Sequence, residues 1–247
     1  MPRIGTRKLY HMLADTLREH NINIGRDKLF DLLEEYAMLV RRRKRKKVCT
    51  TDSNHLFRKY PNLTRELQVL RPNQLWVSDI TYIRIADGFC YLSLITDAYS
   101  RKIVGHCLYP TLQKEGTVKA LQQALCNNDT ASGLMHHSDR GRQYCCDAYV
   151  NVLMDSNVII SMTEKGDPYE NALAERVNGI LKDEFFLDRP LASFENAVAA
   201  VDDAINTYNT IRPHASCNYQ TPEQAHQLQG PLPMRWKKRK KKESINV

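Results

Sequence analysis

Three acidic residues have the type and setting that metal-dependent chemistry on phosphate requires. Asp79 interrupts a run of β-forming residues at 76–83, and Asp139 ends an apolar stretch just before a turn signal. Glu175 lies in a predicted helix, with 35 residues between it and Asp139. An unpaired charge is costly to bury, whereas Mg²⁺ and Mn²⁺ prefer the hard oxygens of carboxylates. The three residues therefore predict a divalent-metal site.

The helix that carries Glu175 has one apolar face, formed by Leu173, Val177, Ile180 and Leu181. Lys182 follows Glu175 by seven residues, or two helical turns, so both lie on one face away from Val177. We expect this helix to pack on a sheet and to direct Glu175 toward the strand ends, with Lys182 along the same line.

The elements that must position these residues follow from periodicity and turn signals. Strands are predicted at 74–83, 89–96 and 103–109, with Ala86, Asp87 and Gly88 turning the first two into a hairpin. Further along the chain we predict a helix at 115–127, a strand at 133–138, a helix at 146–155, a strand at 157–161, and helices at 170–186 and 194–208. Three meandering strands followed by alternating helices and strands predict an α/β fold with a mixed five-stranded sheet flanked by helices.

The N-terminal region predicts a small helical unit. A helix is expected over 5–20, with Thr6 as its N-cap, and a second over 26–37 after a break at 21–25. Two helices before a basic run are compatible with a partial helix-turn-helix, and equally with a simple packing element. We expect four units: a helical DNA-binding segment with its basic run at 1–47, a linker at 48–70, a catalytic core at 71–225 and a basic tail at 226–247.

Charge is concentrated in two short runs. The chain of 247 residues carries a net charge of +8, and residues 237–242 contribute six cations. The other run contributes seven: Arg41, Arg42, Arg43, Lys44, Arg45, Lys46 and Lys47. Without these 13 the net charge would be −5 (8 − 13). Segmental basic charge favours arms that grip a phosphate backbone, although a solvated linker or tail has the same composition.

Cysteine usage and hydropathy exclude several classes. The seven cysteines are odd in number and form no Cys-x-x-Cys pair, which favours reduced thiols. No zinc-finger spacing, signal peptide or long apolar stretch occurs in the sequence. We therefore expect a cytoplasmic protein without a membrane partner; the family resemblance described below further implies a bacterial, nucleoid-associated one.

Seven motifs occur in order along the chain. They are QLWVSDITYI at 74–83, LITDAYSRKIVG at 94–105, HSDRGRQY at 137–144, SMTEKG at 161–166, ENALAE at 170–175, YNTIRPH at 208–214 and YQTP at 219–222. With these motifs the chain resembles the bacterial insertion-sequence transposases, specifically the second-reading-frame product of two-frame elements, whose catalytic core belongs to the retroviral integrase or DDE superfamily. The resemblance runs from about Gly5 to about Gln229. Glu170 stands where that family usually has aspartate, a change that keeps the charge.

The resemblance implies a ribonuclease-H-like fold, two Mg²⁺ or Mn²⁺ ions, and cleavage and 3′-OH strand transfer at the ends of a DNA element. We expect Asp79 to bridge the ions, with Asp139 and Glu175 holding one each. Lys182 would hold a phosphate, and the weaker candidates for DNA contact are Asn171, Lys165, Arg140 and Arg142. The resemblance also implies terminal inverted repeats and target DNA as partners, a circular intermediate, and a homo-oligomer on paired ends.

Each candidate also has a structural explanation. Asp79 could cap a turn, Asp139 could form an Asx-turn before Gly141, and Glu175 could be a solvated helix residue. We interpret Asp97 as structural, pairing near Arg101 or capping the turn that follows it.

Other residues in the motifs leave similar choices open. Of His136 and His137, we expect one to face the site and the other to pack in the core. Trp76 and Tyr82 are predicted core residues, and the segment at 212–214 could meet phosphate or cap a helix. Two functions remain as alternatives: a non-catalytic or truncated DNA-binding regulator of transposition, and a ribonuclease H acting on RNA–DNA hybrids.

Overall fold

The computed structural model describes residues 1–40, 55–128, 133–164 and 171–233. The strands are β1 (Leu75–Ile85), β2 (Gly88–Asp97), β3 (Ile103–Tyr109), β4 (Met135–Ser138) and β5 (Ile159–Met162). The helices are α1 (Thr6–Met12), α2 (Ala14–Glu19), α3 (Arg26–Glu35), α4 (Lys114–Asn127), α5 (Arg142–Cys145), α6 (Asp147–Asp155), α7 (Ala172–Glu184), α8 (Phe194–Thr210) and α9 (Pro222–Ala225). A 3-10 turn spans Ala215–Cys217.

The five strands form one mixed sheet in the order β3-β2-β1-β4-β5. β1 pairs antiparallel with β2, and β2 with β3, whereas β4 runs parallel to both β1 and β5. The predicted hairpin is confirmed, because only Ala86 and Asp87 separate β1 from β2, and Gly88 has the positive φ of +135° that glycine tolerates. The predicted five-stranded mixed sheet is thus confirmed.

Two apolar layers cover the sheet. One is built around Trp76 of β1 with residues of α4 and α6, and the other joins Ile83 of β1 to residues of α7 and α8. Odd-numbered residues of β1 share a face, so Asp79 lies between Val77 and Ile83 on the side that α7 covers. Burial of the α7 apolar face against this side brings the helix that carries Glu175 next to the strand that carries Asp79.

Several predicted boundaries are wrong. The first helix is broken at Leu13 into α1 and α2, and its N-cap is Gly5 rather than Thr6, which is the first helical residue. The helix predicted at 146–155 is preceded by the short α5, since Cys146 adopts an extended conformation between them. The last strand begins at Ile159 instead of 157, because Asn157 takes a left-handed conformation with φ of +54°.

Candidate active site

Asp79 lies within β1, opposite Leu94 of β2, and its side chain is half-buried. Both of its oxygens accept hydrogen bonds: Oδ1 from the backbone N–H of Ile80 at 2.9 Å and Oδ2 from Nδ2 of Asn178 at 2.7 Å. Each of the two oxygens keeps a further lone pair. The hydrogen bonds therefore orient the carboxylate and still leave it able to bind a metal ion.

Asp139 directly follows β4, and β4 runs parallel to β1 with Val77 level with His137. Two residues further along, Asp79 and Asp139 are therefore level with each other, Asp79 within β1 and Asp139 just past the end of β4. The Asx-turn predicted for Asp139 is present, since its Oδ1 accepts the backbone N–H of Gly141 at 2.8 Å. A Cβ at position 141 would approach this oxygen to 2.9 Å, so glycine leaves room for the carboxylate.

Glu175 lies in the first turn of α7 and is exposed. Its charge and that of Asp139 both act on Asp79. Burial raises the pKa of Asp79 to about 7, with the charge of Asp139 the next contribution and that of Glu175 a smaller one, while the bonds from Ile80 and Asn178 oppose the rise. The charges of Asp139 and, more weakly, Glu175 thus reach Asp79. Such mutual repulsion is what a bound cation relieves.

Asn171, the N-cap of α7, and Asn178 within the helix attach it to β1 at Ser78 and Asp79. Asn171 donates from Nδ2 to the carbonyl of Ser78 at 2.9 Å, and Asn178 donates to Asp79. Both side chains are buried, and the Oδ1 of each lacks a hydrogen-bond partner among the residues described. Sequence reasoning missed Asn178; the available signal was an amide on the otherwise apolar face of the helix, three residues after Glu175. The burial of Asn171 favours an intramolecular anchor over the DNA contact proposed for it.

Lys182 lies on the same helix, and its Nζ is 3.8 Å from the centre of the Tyr82 ring. Tyr82 is half-buried and meets Phe89 edge-on at 5.4 Å, so the prediction that it is a core residue is wrong. Trp76, by contrast, is fully buried and donates from its indole nitrogen to Asn73, which confirms the core prediction for that residue.

His136 and His137, the second of which opens the HSDRGRQY motif, are both buried, and the partners described for them are structural. His136 lies within hydrogen-bond distance of Ser78 Oγ at 2.6 Å and Tyr149 Oη at 2.9 Å. Burial, and secondarily the neighbouring His137, lowers the pKa of His136 to about 3, so it is neutral at physiological pH. His137 bonds to Ser161 at 2.8 Å and thereby links β4 to β5.

Two motif residues with alternative interpretations prove to be structural. The carboxylate of Asp97 accepts bonds from Ser100 and from the backbone of Asn73, which confirms the predicted turn cap. Arg212 is buried and forms a bidentate pair with Glu184, at 2.7 and 2.9 Å, so it is unavailable to phosphate.

The remaining candidates for DNA contact are distributed unevenly. Arg142 is exposed at the start of α5, and Arg140 is half-buried beside Asp139. Lys165 and the run at 41–47 lie outside the described residues, as does the run at 237–242. Helix α3 exposes four carboxylates and two cations, which disfavours its approach to phosphate and supports the packing interpretation of the N-terminal helices.

Comparison with known proteins agrees with the motifs. Two models of the integrase core domain match, over residues 69–168 and 156–222. The IS600 uncharacterized 31 kDa protein of Shigella sonnei is 36% identical over 230 residues, 91% of this chain and 83% of that protein. The transposase for IS629 of Shigella sonnei is 38% identical over 137 residues, 56% of this chain and 46% of that transposase. The chain belongs to the insertion-sequence transposase family.

Family membership confirms the predicted resemblance. Transposase InsF for IS3A of Escherichia coli K12 is a further relative, 35% identical over 163 residues. The match covers 66% of this chain and 57% of InsF, so the chain spans about half the length of the named transposases it matches.

Solved structures establish the fold independently. The HTLV-2 integrase catalytic core domain, solved with magnesium, covers 64% of this chain and 99% of its own, with a TM-score of 0.51 and 21% identity. A chain of the simian T-cell lymphotropic virus intasome, solved with PP2A regulatory subunit B56 gamma, covers 95% and 79%, with a TM-score of 0.57 and 19% identity. These similarities confirm the ribonuclease-H-like fold. Among the described helices of this family member, none is long and apolar enough to cross a membrane.

The donor set suits a divalent cation, but the side chains are not gathered into a complete cage. Within the described part of the chain, no three His, Cys, Asp or Glu side chains are grouped closely enough to hold a metal ion. The fit rests on the chemistry of the donors, which are hard carboxylate oxygens, and on the neighbouring charge of Asp139, which adds to the effect of burial in raising the pKa of Asp79. Glu175 is exposed at the start of α7.

Proposed function

We propose that this chain catalyses metal-dependent strand cleavage and 3′-OH strand transfer at the ends of an insertion sequence, with Asp79, Asp139 and Glu175 as the catalytic carboxylates. The observation that carries the proposal is geometric: Asp139 follows β4 level with Asp79 on the neighbouring β1, and α7, which carries Glu175, contacts Asp79 through Asn178. Structural carboxylates elsewhere in the chain are instead neutralised by partners, as Glu184 is by Arg212.

The three carboxylates would hold two Mg²⁺ or Mn²⁺ ions. When bound, the ions supply Lewis-acid stabilisation of the pentavalent phosphate and acidify the attacking hydroxyl. Asn178 keeps the Asp79 carboxylate in one rotamer through its 2.7 Å bond, and the Gly141 N–H does the same for Asp139 at 2.8 Å. Fixed ligand orientation reduces the reorganisation required during the reaction.

The substrates follow from this chemistry. Water is the first nucleophile and frees a 3′-OH at the element end, and that 3′-OH then attacks a second phosphodiester in target DNA. Lys182, in the last turn of α7 and over the Tyr82 ring of β1, would supply a positive charge for phosphate. We propose the terminal inverted repeats as the recognised DNA and a homo-oligomer on paired ends as the active assembly.

The test compares three single variants, Asp79→Asn, Asp139→Asn and Glu175→Gln, in a strand-transfer assay with pre-cut element ends and Mg²⁺. Each should lose cleavage and joining while retaining DNA affinity, because each residue is assigned only to the metal. Asp155→Asn is the matched control, since Asp155 is an exposed carboxylate at the end of α6. A triad variant with the wild-type rate would remove that residue from the site.

The same assay separates the alternatives. A regulator that only binds DNA would show affinity for element ends but no Mg²⁺-dependent product from the wild-type chain. A ribonuclease H would cleave an RNA–DNA hybrid and fail to join DNA ends. Joined product from the wild-type chain, lost on chelation of the metal, is the result that we expect.

A further inference from the structure

The C-terminal end of α7 has an unfavourable backbone. The helix ends at Glu184, and Phe186 shortly after it takes a left-handed conformation with φ of +63°. This conformation terminates many helices, but it suits glycine, since a side chain crowds the backbone there. A bulky residue keeps it only when surrounding contacts hold it in place.

Residues before α1 supply such contacts. The backbone N–H of Arg3 donates to the carbonyl of Glu184 at 3.3 Å, which satisfies one of the carbonyls left unpaired at a helix end. The Arg3 guanidinium lies 4.4 Å from the centre of the Phe186 ring and 3.6 Å from Asp188. Arg189 also lies on the Phe186 ring, at 4.0 Å. The N-terminus thus caps α7 and holds the strained residue.

A second link comes from α1 itself. Lys8 Nζ lies 2.5 Å from Glu184 Oε1, and both side chains are largely buried, with 19% and 13% of their surface exposed. Arg212 already binds both oxygens of Glu184 and neutralises it. Lys8 is therefore not required to compensate the carboxylate, and what it adds is a connection between α1 and α7. Buried ion pairs are better known for fixing how two elements are arranged than for adding net stability.

A third contact lies farther along α1. The ring of His11 stacks on that of Tyr219 at 4.8 Å, next to the segment that follows α8. Tyr219 itself has a φ of +64°, another left-handed residue without a glycine. The contacts of residues 3, 8 and 11 therefore fall on strained or charged positions at one end of the core.

Movement at this end would be transmitted to the carboxylates. Glu184 lies nine residues after Glu175, about 13 Å along the helix at 1.5 Å per residue. Between them, Asn178 makes the bond to Asp79. Because a helix moves as a unit, a rotation at Glu184 displaces both Asn178 and Glu175 relative to β1.

We infer that residues 3–11 form a built-in brace that positions α7, with Lys8 and Arg3 as positioning residues for the metal-dependent chemistry. This inference rests on the proposed function for its catalytic consequence and on contacts alone for its structural one. The N-terminal helices act through the catalytic helix, in addition to any contact that they make with DNA.

The experiment uses the full chain and the variants Lys8→Met, Lys8→Arg and Arg3→Ala. Arg18→Met is the matched control, since Arg18 forms an exposed ion pair with Asp15 on the neighbouring α2. The first readout is amide hydrogen exchange of α7 residues 172–178 without DNA or metal. The second is the Mg²⁺ concentration that gives half-maximal cleavage, and the third is DNA affinity.

Lys8→Met and Arg3→Ala should accelerate exchange in α7 by roughly 5- to 30-fold, the range that corresponds to a loss of one or two kcal/mol. They should raise the half-saturating Mg²⁺ concentration by about tenfold, at the low end of the effects seen when supports of metal ligands are removed. DNA affinity should change less than about twofold. Lys8→Arg should restore both readouts, and Arg18→Met should match the wild type.

Three outcomes would overturn the inference: unchanged exchange in α7, faster exchange with an unchanged Mg²⁺ requirement, or equal effects of Arg18→Met. If Lys8→Met fails to fold, Arg3→Ala decides, because the Arg3 side chain is more exposed than that of Lys8 and does not contact the largely buried Glu184 side chain. Failure of the proposed function is distinguishable, since the wild-type chain would then show no Mg²⁺-dependent cleavage. Exchange would still show whether α1 braces α7.

Discussion

Replacement of Asp79 by Asn should make the metal-free protein more stable while abolishing its chemistry. Asp79 is half-buried and faces the charges of Asp139 and Glu175. An amide has nearly the same shape and removes the repulsion. Its oxygen can still accept the bond from Asn178, so the main loss is the bond from the Ile80 N–H. The single substitution Asp79→Asn should therefore raise the stability of the protein and remove its catalytic activity.

The magnitude follows from the pKa of Asp79, which rises from an ordinary 3.8 to about 7. At about 1.4 kcal/mol for each pH unit, this difference of about three units gives an upper value of about 4 kcal/mol for ionising Asp79 in the fold. Relaxation of the carboxylates and partial exposure to water reduce it, and we expect a gain of about 1–3 kcal/mol. The midpoint of thermal unfolding should rise by roughly 2–4 °C per kcal/mol.

The titration of Asp79 determines how the stability of the wild type changes with pH. Because the folded state binds this proton more tightly than the unfolded state, wild-type stability falls as the pH rises from about 4 to about 7. The gain from Asp79→Asn should therefore be small at pH 4.5 and largest at pH 8. Added Mg²⁺ should stabilise the wild type at pH 8 and have little effect on the variant.

Urea unfolding with a chelator at the two pH values measures this effect. Asp97→Asn is the control, because the carboxylate of Asp97 is fully buried and accepts bonds from Ser100 and Asn73. That change should destabilise the protein at both pH values, since an amide N–H would face existing donors. A variant at position 79 that is no more stable than the wild type at pH 8, or equally stabilised at pH 4.5, would refute the reasoning.

Two further predictions concern DNA. Lys182→Ala should weaken binding to element ends more than it slows chemistry at saturating DNA, and should lower the slope of log affinity against log salt by about 0.9. Lys119→Ala is its control, because Lys119 also lies over a tyrosine ring, that of Tyr109 at 5.1 Å, but on α4; equal slopes would assign Lys182 to packing. Neutralising residues 41–47 should reduce DNA affinity more than neutralising residues 237–242, since the first run lies in the sequence between the N-terminal helices and the core, whereas the second follows a Gly-Pro segment near the C-terminus. Affinities across a salt series measure this, and a larger loss from the second run would reverse the ranking.

The sheet was predictable because its signals are local. The β1–β2 hairpin is specified by two β-forming runs and a short turn containing Gly88, and burial on both faces explains why these strands read as apolar. The position of Asp79 in β1 and of Asp139 after β4 follows from the same signals. That Asp139 lies level with Asp79 depends on the register between β1 and β4, which joins distant parts of the chain and is seen only in the structure.

Contacts between distant residues were not predictable. Lys8 and Glu184 are 176 residues apart, and the sequence around neither residue indicates which residue it contacts. Arg212 illustrates the same difficulty. An arginine in a motif at a helix end looks suitable for binding phosphate, but its guanidinium donates two hydrogen bonds to the distant Glu184. For His136 and His137, alternation along β4 sends the side chains to opposite faces, but both faces are covered, so both are buried.

Asn171 and Asn178 hold β1 beside Asp79 at an energetic cost. Residues 171 and 178 each bury an amide whose Oδ1 lacks a hydrogen-bond partner in the described chain, a state that costs about 1–3 kcal/mol for each group. An apolar residue at either position would avoid that cost, but it would also remove an N–H that holds β1 beside Asp79. The orphaned amide oxygens and the left-handed Phe186 lie at α7 and just beyond it, whereas Asp79 lies opposite, on β1. A cation at the proposed site would relieve the repulsion between the carboxylates, while the amide and backbone costs would remain.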